Sequence, residues 1–123
     1  MSRQLETVLI SSPMILLLKN RGWECFKTHG SQYQEGFPDY YIIHTQYSPR
    51  WIEFKRKDEY NLVHLTDAQK IVFPKFIICK VPLYIIADID LRKDYSRRLY
   101  HYNKLFEEPN GYMVLSTQTM RLL

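Results

Sequence analysis

Two β-prone runs, DYYIIH (39–44) and RWIEFK (50–55), are separated by only TQYSP, whose Ser-Pro marks a turn. A link of this length allows antiparallel pairing but no crossover, so a hairpin is the expected pairing of the two runs. Side chains alternate along a strand, so Glu53 and Lys55 point to one face while Ile52 and Phe54 point to the other. With a five-residue loop, the pairing expected is His44 against Arg50 and Asp39 against Lys55. Opposed residues share a face, so Asp39 joins Glu53 and Lys55 on it. A slip of one residue would scatter them.

The remaining chain supplies elements around this hairpin. RQLETVLISSPMILLLKNRG (3–22) keeps Leu5, Val8, Leu9, Met14, Ile15, Leu17 and Leu18 apolar at helical spacing. Pro13 disfavours a helix interior, so either a kink or a restart with Ser12 as cap is expected. Gly22 suits the stop. WECFKT (23–28) reads as a strand, and HGSQYQEG (29–36) as a polar loop. KDEYN (57–61) reads as a charged loop. LTDAQKIVFPKFIICK (65–80) is a helix capped by Thr66, with Pro74 expected to shorten or kink it. PLYIIADI (82–89) is a buried strand, and RKDYSRRLYHYNKLF (92–106) a basic, tyrosine-rich helix. PNG (109–111) is a turn before a last strand in YMVLSTQTMRL.

Helix, three strands, helix, strand describes an α/β sandwich: an antiparallel meander, then a parallel strand reached through a crossover helix. The expected unit is a single domain over 1–123, with its αβββαβ core at about 3–88 and a C-terminal helix/strand appendage at about 90–123.

The 123 residues, 46% apolar and 24% charged, are enough for a real core and argue against disorder. A net charge of +4 and a pI near 9.1 are compatible with a polyanionic partner and also with none. Cys25 and Cys79 lack CxxC spacing, so reduced thiols in an intracellular protein are expected. VLISSPMILLL (8–18) is too short to span a bilayer, and no signal-peptide pattern precedes it, so the expected setting is cytoplasmic, without a membrane role. His29, His44, His64 and His101 show no zinc-ligand spacing, and no glycine-rich phosphate loop is present, which argues against a nucleotide cofactor.

Two carboxylates converging at a strand end repel one another unless a cation lies between them. Mg²⁺ prefers such oxygen ligands, and a lysine beside it can orient water or stabilise charge at phosphorus. These are the parts for phosphodiester hydrolysis. A Glu-x-Lys on a strand is ordinarily a solvated face; the order and setting of the three residues raise its significance.

GFPDYYII, WIEFKRK and LTDAQ together resemble the PD-(D/E)XK nuclease superfamily, and most closely its VRR-NUC branch. The matching positions are Gly36, Pro38 and Asp39, then Glu53 and Lys55, then Leu65, Thr66 and Gln69, and the resemblance covers roughly 3–88. KTHGSQYQEG (27–36) is similar to the loop of small phage members. The resemblance implies a restriction-endonuclease-like sandwich and a DNA endonuclease with Mg²⁺ or Mn²⁺ held by Asp39, Glu53 and the Phe54 carbonyl. It further implies that Lys55 assists the attacking water, that Glu6 on the first helix is a candidate additional ligand, and that Gln69 reaches the cleft. His29, Arg56 and Lys57 are the candidate DNA contacts. Stand-alone members suggest Holliday-type junctions cut by a homodimer, with a flap, nicking or duplex nuclease, or a non-catalytic DNA-binding module, as alternatives. Tyr95, Tyr100 and Tyr102 beside Arg92, Lys93, Arg97 and Arg98 suit either base stacking or a homodimer interface, and the two-fold symmetry useful for junction cutting favours the interface.

Overall fold

The computed structural model describes residues 3–28 and 35–108. Chain order is α1 (Arg3–Glu6), a wide helical turn at Thr7–Ser11, α2 (Ser12–Asn20), β1 (Glu24–Lys27), β2 (Tyr40–Ile43), β3 (Arg50–Arg56), α3 (Asp67–Ile78), β4 (Leu83–Asp88), α4 (Tyr95–His101) and α5 (Asn103–Glu107). The four strands form one mixed sheet in the order β1-β2-β3-β4. The first two pairings are antiparallel and the third is parallel. The protein is therefore a mixed α/β fold, with the meander and crossover that the sequence order requires.

Two cores flank the sheet. Ile42, Ile52, Phe54, Tyr84 and Ile86 meet Leu9, Ile10, Met14, Leu17 and Leu18 of the N-terminal helices on one side. Leu83, Ile85 and Ala87 meet Phe73 of α3 and the preceding Val63 and Leu65 on the other. Strand alternation alone divides these sets, and each fully buried Ile or Phe contributes about 1.5–3 kcal/mol. Leu105 and Phe106 of α5 join the first core, so the described part of the C-terminal region is integral to it.

Pro13 is accommodated without a restart. Ser12 is helical and donates its N–H to the Thr7 carbonyl, one residue further back than in an α-helix. Pro13 cannot donate to the carbonyl four residues earlier, that of Leu9, and this carbonyl accepts the Leu91 N–H at 2.8 Å instead. The helix ends where expected: Gly22, at φ 92°, sits past the last turn, and Trp23 N–H bonds back to Leu18. Pro74 lies inside α3 without ending it. The single helix expected at 92–106 is instead α4 and α5, preceded by left-handed Asp94. The turn and strand expected beyond residue 108, and most of the 29–36 loop, lie outside the described residues.

The hairpin register corrects one expectation. Ile42 pairs with Arg50, Tyr41 with Trp51 and Tyr40 with Ile52, two residues away from the pairing expected. His44 is the cause. Its Nδ1 accepts the Gln46 N–H at 3.0 Å, and its Nε2 lies 2.9 Å from the Arg21 carbonyl, to which it donates. The imidazole packs beside Trp23 and Tyr47. Held this way His44 leaves the ladder, and the connection lengthens. A shift of two preserves the faces that a shift of one would have exchanged.

Candidate functional site

Carried on by one pair, the register sets Asp39 opposite Glu53 rather than Lys55. The site stands where β2 and β3 part. Asp39 accepts the Phe54 N–H through Oδ2 at 3.0 Å, which takes the place of a ladder bond. The next position back is Pro38, which has no N–H to offer the Phe54 carbonyl. N–H and C=O of Phe54 leave the same side of β3, so that carbonyl points toward Asp39 without a backbone donor from Pro38. The Pro-Asp pair thus ends the ladder and leaves an oxygen next to a carboxylate.

Three features hold the pair in place. Thr28 donates its hydroxyl to the carbonyls of Pro38 and Asp39 at 2.8 and 3.0 Å, and its N–H to Asp39 at 2.8 Å. Pro38 is fully buried. Gly36 has φ 87°, and a Cβ there would come within 2.8 Å of the Ala68 carbonyl in the first turn of α3. Glycine is required for both the backbone angle and the close approach. Thr28 was not among the candidates read from the sequence; its only signal is a hydroxyl residue closing the WECFKT strand.

Glu53 is only 3% exposed, and its Oε1 has no hydrogen-bond partner. Burial pushes its carboxyl well above the usual range, the neighbouring Asp39 charge pushes further, and Lys55 opposes both. A side-chain hydrogen bond with Asp39 and the negative charge of Glu6 add to the rise. Burial and the adjacent acid together favour the protonated form of Glu53. Lys55 Nζ lies 3.9 Å from Glu53 Oε2, close enough to offset charge but too far for a hydrogen bond.

Asp39, Glu53 and Lys55 are thus brought together, with Glu6 on α1 within electrostatic reach. Among the described residues no three His, Cys, Asp or Glu side chains are grouped closely enough to hold a metal ion on their own. The donor set nevertheless fits a hard divalent ion, which commonly takes one or two carboxylates and completes its shell with water and substrate oxygens. The unpartnered oxygen of Glu53 and the carbonyl of Phe54 supply the local reason.

Gln69 is buried at the start of α3, with its amide oxygen accepting the Thr66 N–H at 3.0 Å while Thr66 Oγ1 accepts the Gln69 N–H. This reciprocal cap commits one end of the side chain to the helix. Arg56 alternates to the face opposite Lys55, whereas Lys57 returns to the Lys55 face as its N–H bonds Asp88. His29 lies outside the described residues. Of the three tyrosines, Tyr102 belongs to the interior: its hydroxyl donates to the Ala87 carbonyl, and burial pushes its pKa up to about 12. Tyr95 and Tyr100 remain exposed.

Compared with family models, curated proteins and solved structures, the chain finds no match.

Proposed function

We propose that this chain is a Mg²⁺- or Mn²⁺-dependent DNA endonuclease of the PD-(D/E)XK superfamily, VRR-NUC branch, with a restriction-endonuclease-like sandwich. Its substrate in this reading is branched DNA such as a Holliday-type junction, cut by a homodimer inside the cell. One observation carries the reading: two carboxyls, Asp39 and the buried Glu53, meet at a strand end beside Lys55. Such a pair costs stability and gives the fold nothing in return unless a cation uses it.

Asp39, Glu53 and the Phe54 carbonyl would hold the ion, with Glu6 bordering it. When bound, the ion supplies Lewis-acid stabilisation of charge developing on the phosphate and lowers the pKa of a nearby water. The chain's own residues do the rest. Asp39, fixed by the Phe54 N–H through Oδ2, would offer its second oxygen to the ion. Glu53 would release its proton to solvent on meeting the ion and so offer it a carboxylate. Lys55, 14% exposed and in the row after Glu53, faces the scissile phosphate, orients the attacking water and offsets charge on the phosphoryl oxygens. The products are a 5′-phosphate and a 3′-hydroxyl.

The test is cleavage of labelled four-way junction, flap and linear duplex in Mg²⁺, Mn²⁺ or EDTA. Metal-dependent cutting is expected, and Asp39→Ala or Lys55→Ala is expected to reduce it by about 10³-fold. Binding without cleavage under every metal condition would end the enzyme reading. Cleavage that survived both substitutions would refute the site.

A further inference from the structure

Among the described residues, the face of the sheet that carries Glu53 is covered by α3 over β3 and β4, and no described element covers it toward β1. There Phe26 of β1 stands opposite Tyr41 of β2, which stands opposite Trp51 of β3. The Tyr41 and Trp51 rings are 5.0 Å apart, and Phe37 meets Trp51 edge-on at 6.1 Å. Trp51 is anchored from the α3 side by Phe76. Phe26 is 54% exposed and Phe37 40% exposed, so the row ends in aromatic rings open to water. A strand edge in a protein with two full cores has no structural need for an exposed phenylalanine in mid-strand.

The row's position gives it a use. Two residues further along the same face, about 7 Å on, lies the row that holds Asp39 and Glu53, followed by Lys55. Flat aromatic surface, then the carboxyl pair, then cations at Lys55 and Lys57 is the sequence of groups that a single strand meets when a base is stacked and the adjoining phosphate enters the site. The acidic Glu24, one step outward on this face of β1, limits the track to that one row. A second protein chain laid on Phe26 and Tyr41 would cover the approach to Asp39.

We propose that Phe26, Tyr41 and Trp51, edged by Phe37, form a base-stacking platform for unpaired DNA next to the bond that is cut. The platform selects substrates that can present an unpaired or splayed base beside the scissile phosphate, as at a branch point or a single-stranded tail. It rests on reading the Asp39–Glu53 pair as a phosphodiesterase site, and stacking can be measured apart from cleavage.

The full chain is titrated in EDTA with two probes, a blunt duplex and the same duplex with a single-stranded tail bearing 2-aminopurine. Stacking is expected to quench the 2-aminopurine signal. Phe26→Ala is expected to weaken tailed-DNA binding about tenfold and relieve the quenching, with blunt-duplex binding unchanged. Phe26→Tyr is expected to restore both, and Phe37→Ala to act in the same direction with a smaller effect. Equal binding of tailed DNA by wild type, Phe26→Ala and Phe37→Ala, all melting normally, would overturn the platform. So would a shift from dimer to monomer caused by Phe26→Ala in sedimentation, since the row would then belong to a second copy. Quenching that follows these expectations in a protein that cuts nothing in Mn²⁺ upholds the platform and rejects the nuclease reading. Cleavage without quenching does the reverse.

Discussion

Strand β3 buries two charges three residues apart, Arg50 and Glu53, and they are treated in opposite ways. Arg50 is completely enclosed on the side of the N-terminal helices. Its guanidinium donates to the carbonyls of Ser48, Leu105 and Glu108 and lies over the rings of Trp23 and Tyr84. Those partners come from the hairpin loop and from the end of α5, so the cation fastens the C-terminal helix to the sheet. Glu53, on the other side, lies against another acid, Asp39, and leaves an oxygen without a partner. A buried charge with all its partners is architecture. One that lacks them is either a fault or a site, and the setting of Glu53 beside Asp39 and Lys55 is what the proposed site rests on.

The contrast can be broken by substitution. Arg50→Met keeps the stem and removes the donors, stranding two carbonyls of the α5 end. With two carbonyls left without a donor at about 1–3 kcal/mol each, a loss of about 2–6 kcal/mol in denaturant unfolding is expected, well above the range for a surface arginine. A loss below 1 kcal/mol would show that the guanidinium is not what holds α5. Glu53→Gln is expected to act the other way in metal-free protein and stabilise it at neutral pH by about 1–3 kcal/mol, several degrees in Tm, while abolishing cleavage. The sign follows from the raised carboxyl. The folded state holds the Glu53 proton more tightly than the unfolded chain does. That stabilisation is complete below the unfolded value of 4.5 and is lost as pH climbs through the higher folded value. Metal-free wild type is therefore expected to lose stability over that window, and Glu53→Gln to flatten the profile; parallel profiles would show that Glu53 is not the titrating group. The smallest effect is sought at Pro38. Pro38→Ala restores an N–H opposite the Phe54 carbonyl and is expected to weaken Mn²⁺-induced thermal stabilisation by about 1 kcal/mol, the worth of one net hydrogen bond. Unchanged Mn²⁺ stabilisation would mean that this carbonyl takes no part.

Which parts of this were legible in the sequence follows from how local each cause is. The period-two pattern of 39–44 and 50–55 separates Glu53 and Lys55 from Ile52 and Phe54, and the folded strand does the same. The Thr66 cap and the start of α3 at Asp67 depend on neighbouring residues only, and both are found. The hairpin register was missed because it depends on His44 reaching the Arg21 carbonyl, 23 residues earlier in the chain. Nothing local marks Arg50 as a buried anchor, for a related reason: its partners Leu105 and Glu108 are more than 50 residues away. That Asp39 shares a face with Glu53 and Lys55 survived the register error because a two-residue shift leaves parity intact, although its direct partner changed from Lys55 to Glu53.

The wide turn at Thr7–Ser11 also fixes where Glu6 stands. Each residue of an α-helix advances the direction of its side chains by about 100°, so one extra residue in a turn resets the phase of everything before it. With Leu9 tied to Leu91 and α2 packed on the sheet, the segment after the turn cannot rotate to compensate. The turn therefore acts as an indexing device. It lets the apolar stripe of α2 and the acidic end of α1 be aimed independently, although they belong to one continuous helical rod. A regular helix over the same residues would swing Glu6 by about 100° relative to the buried Leu17 and Leu18.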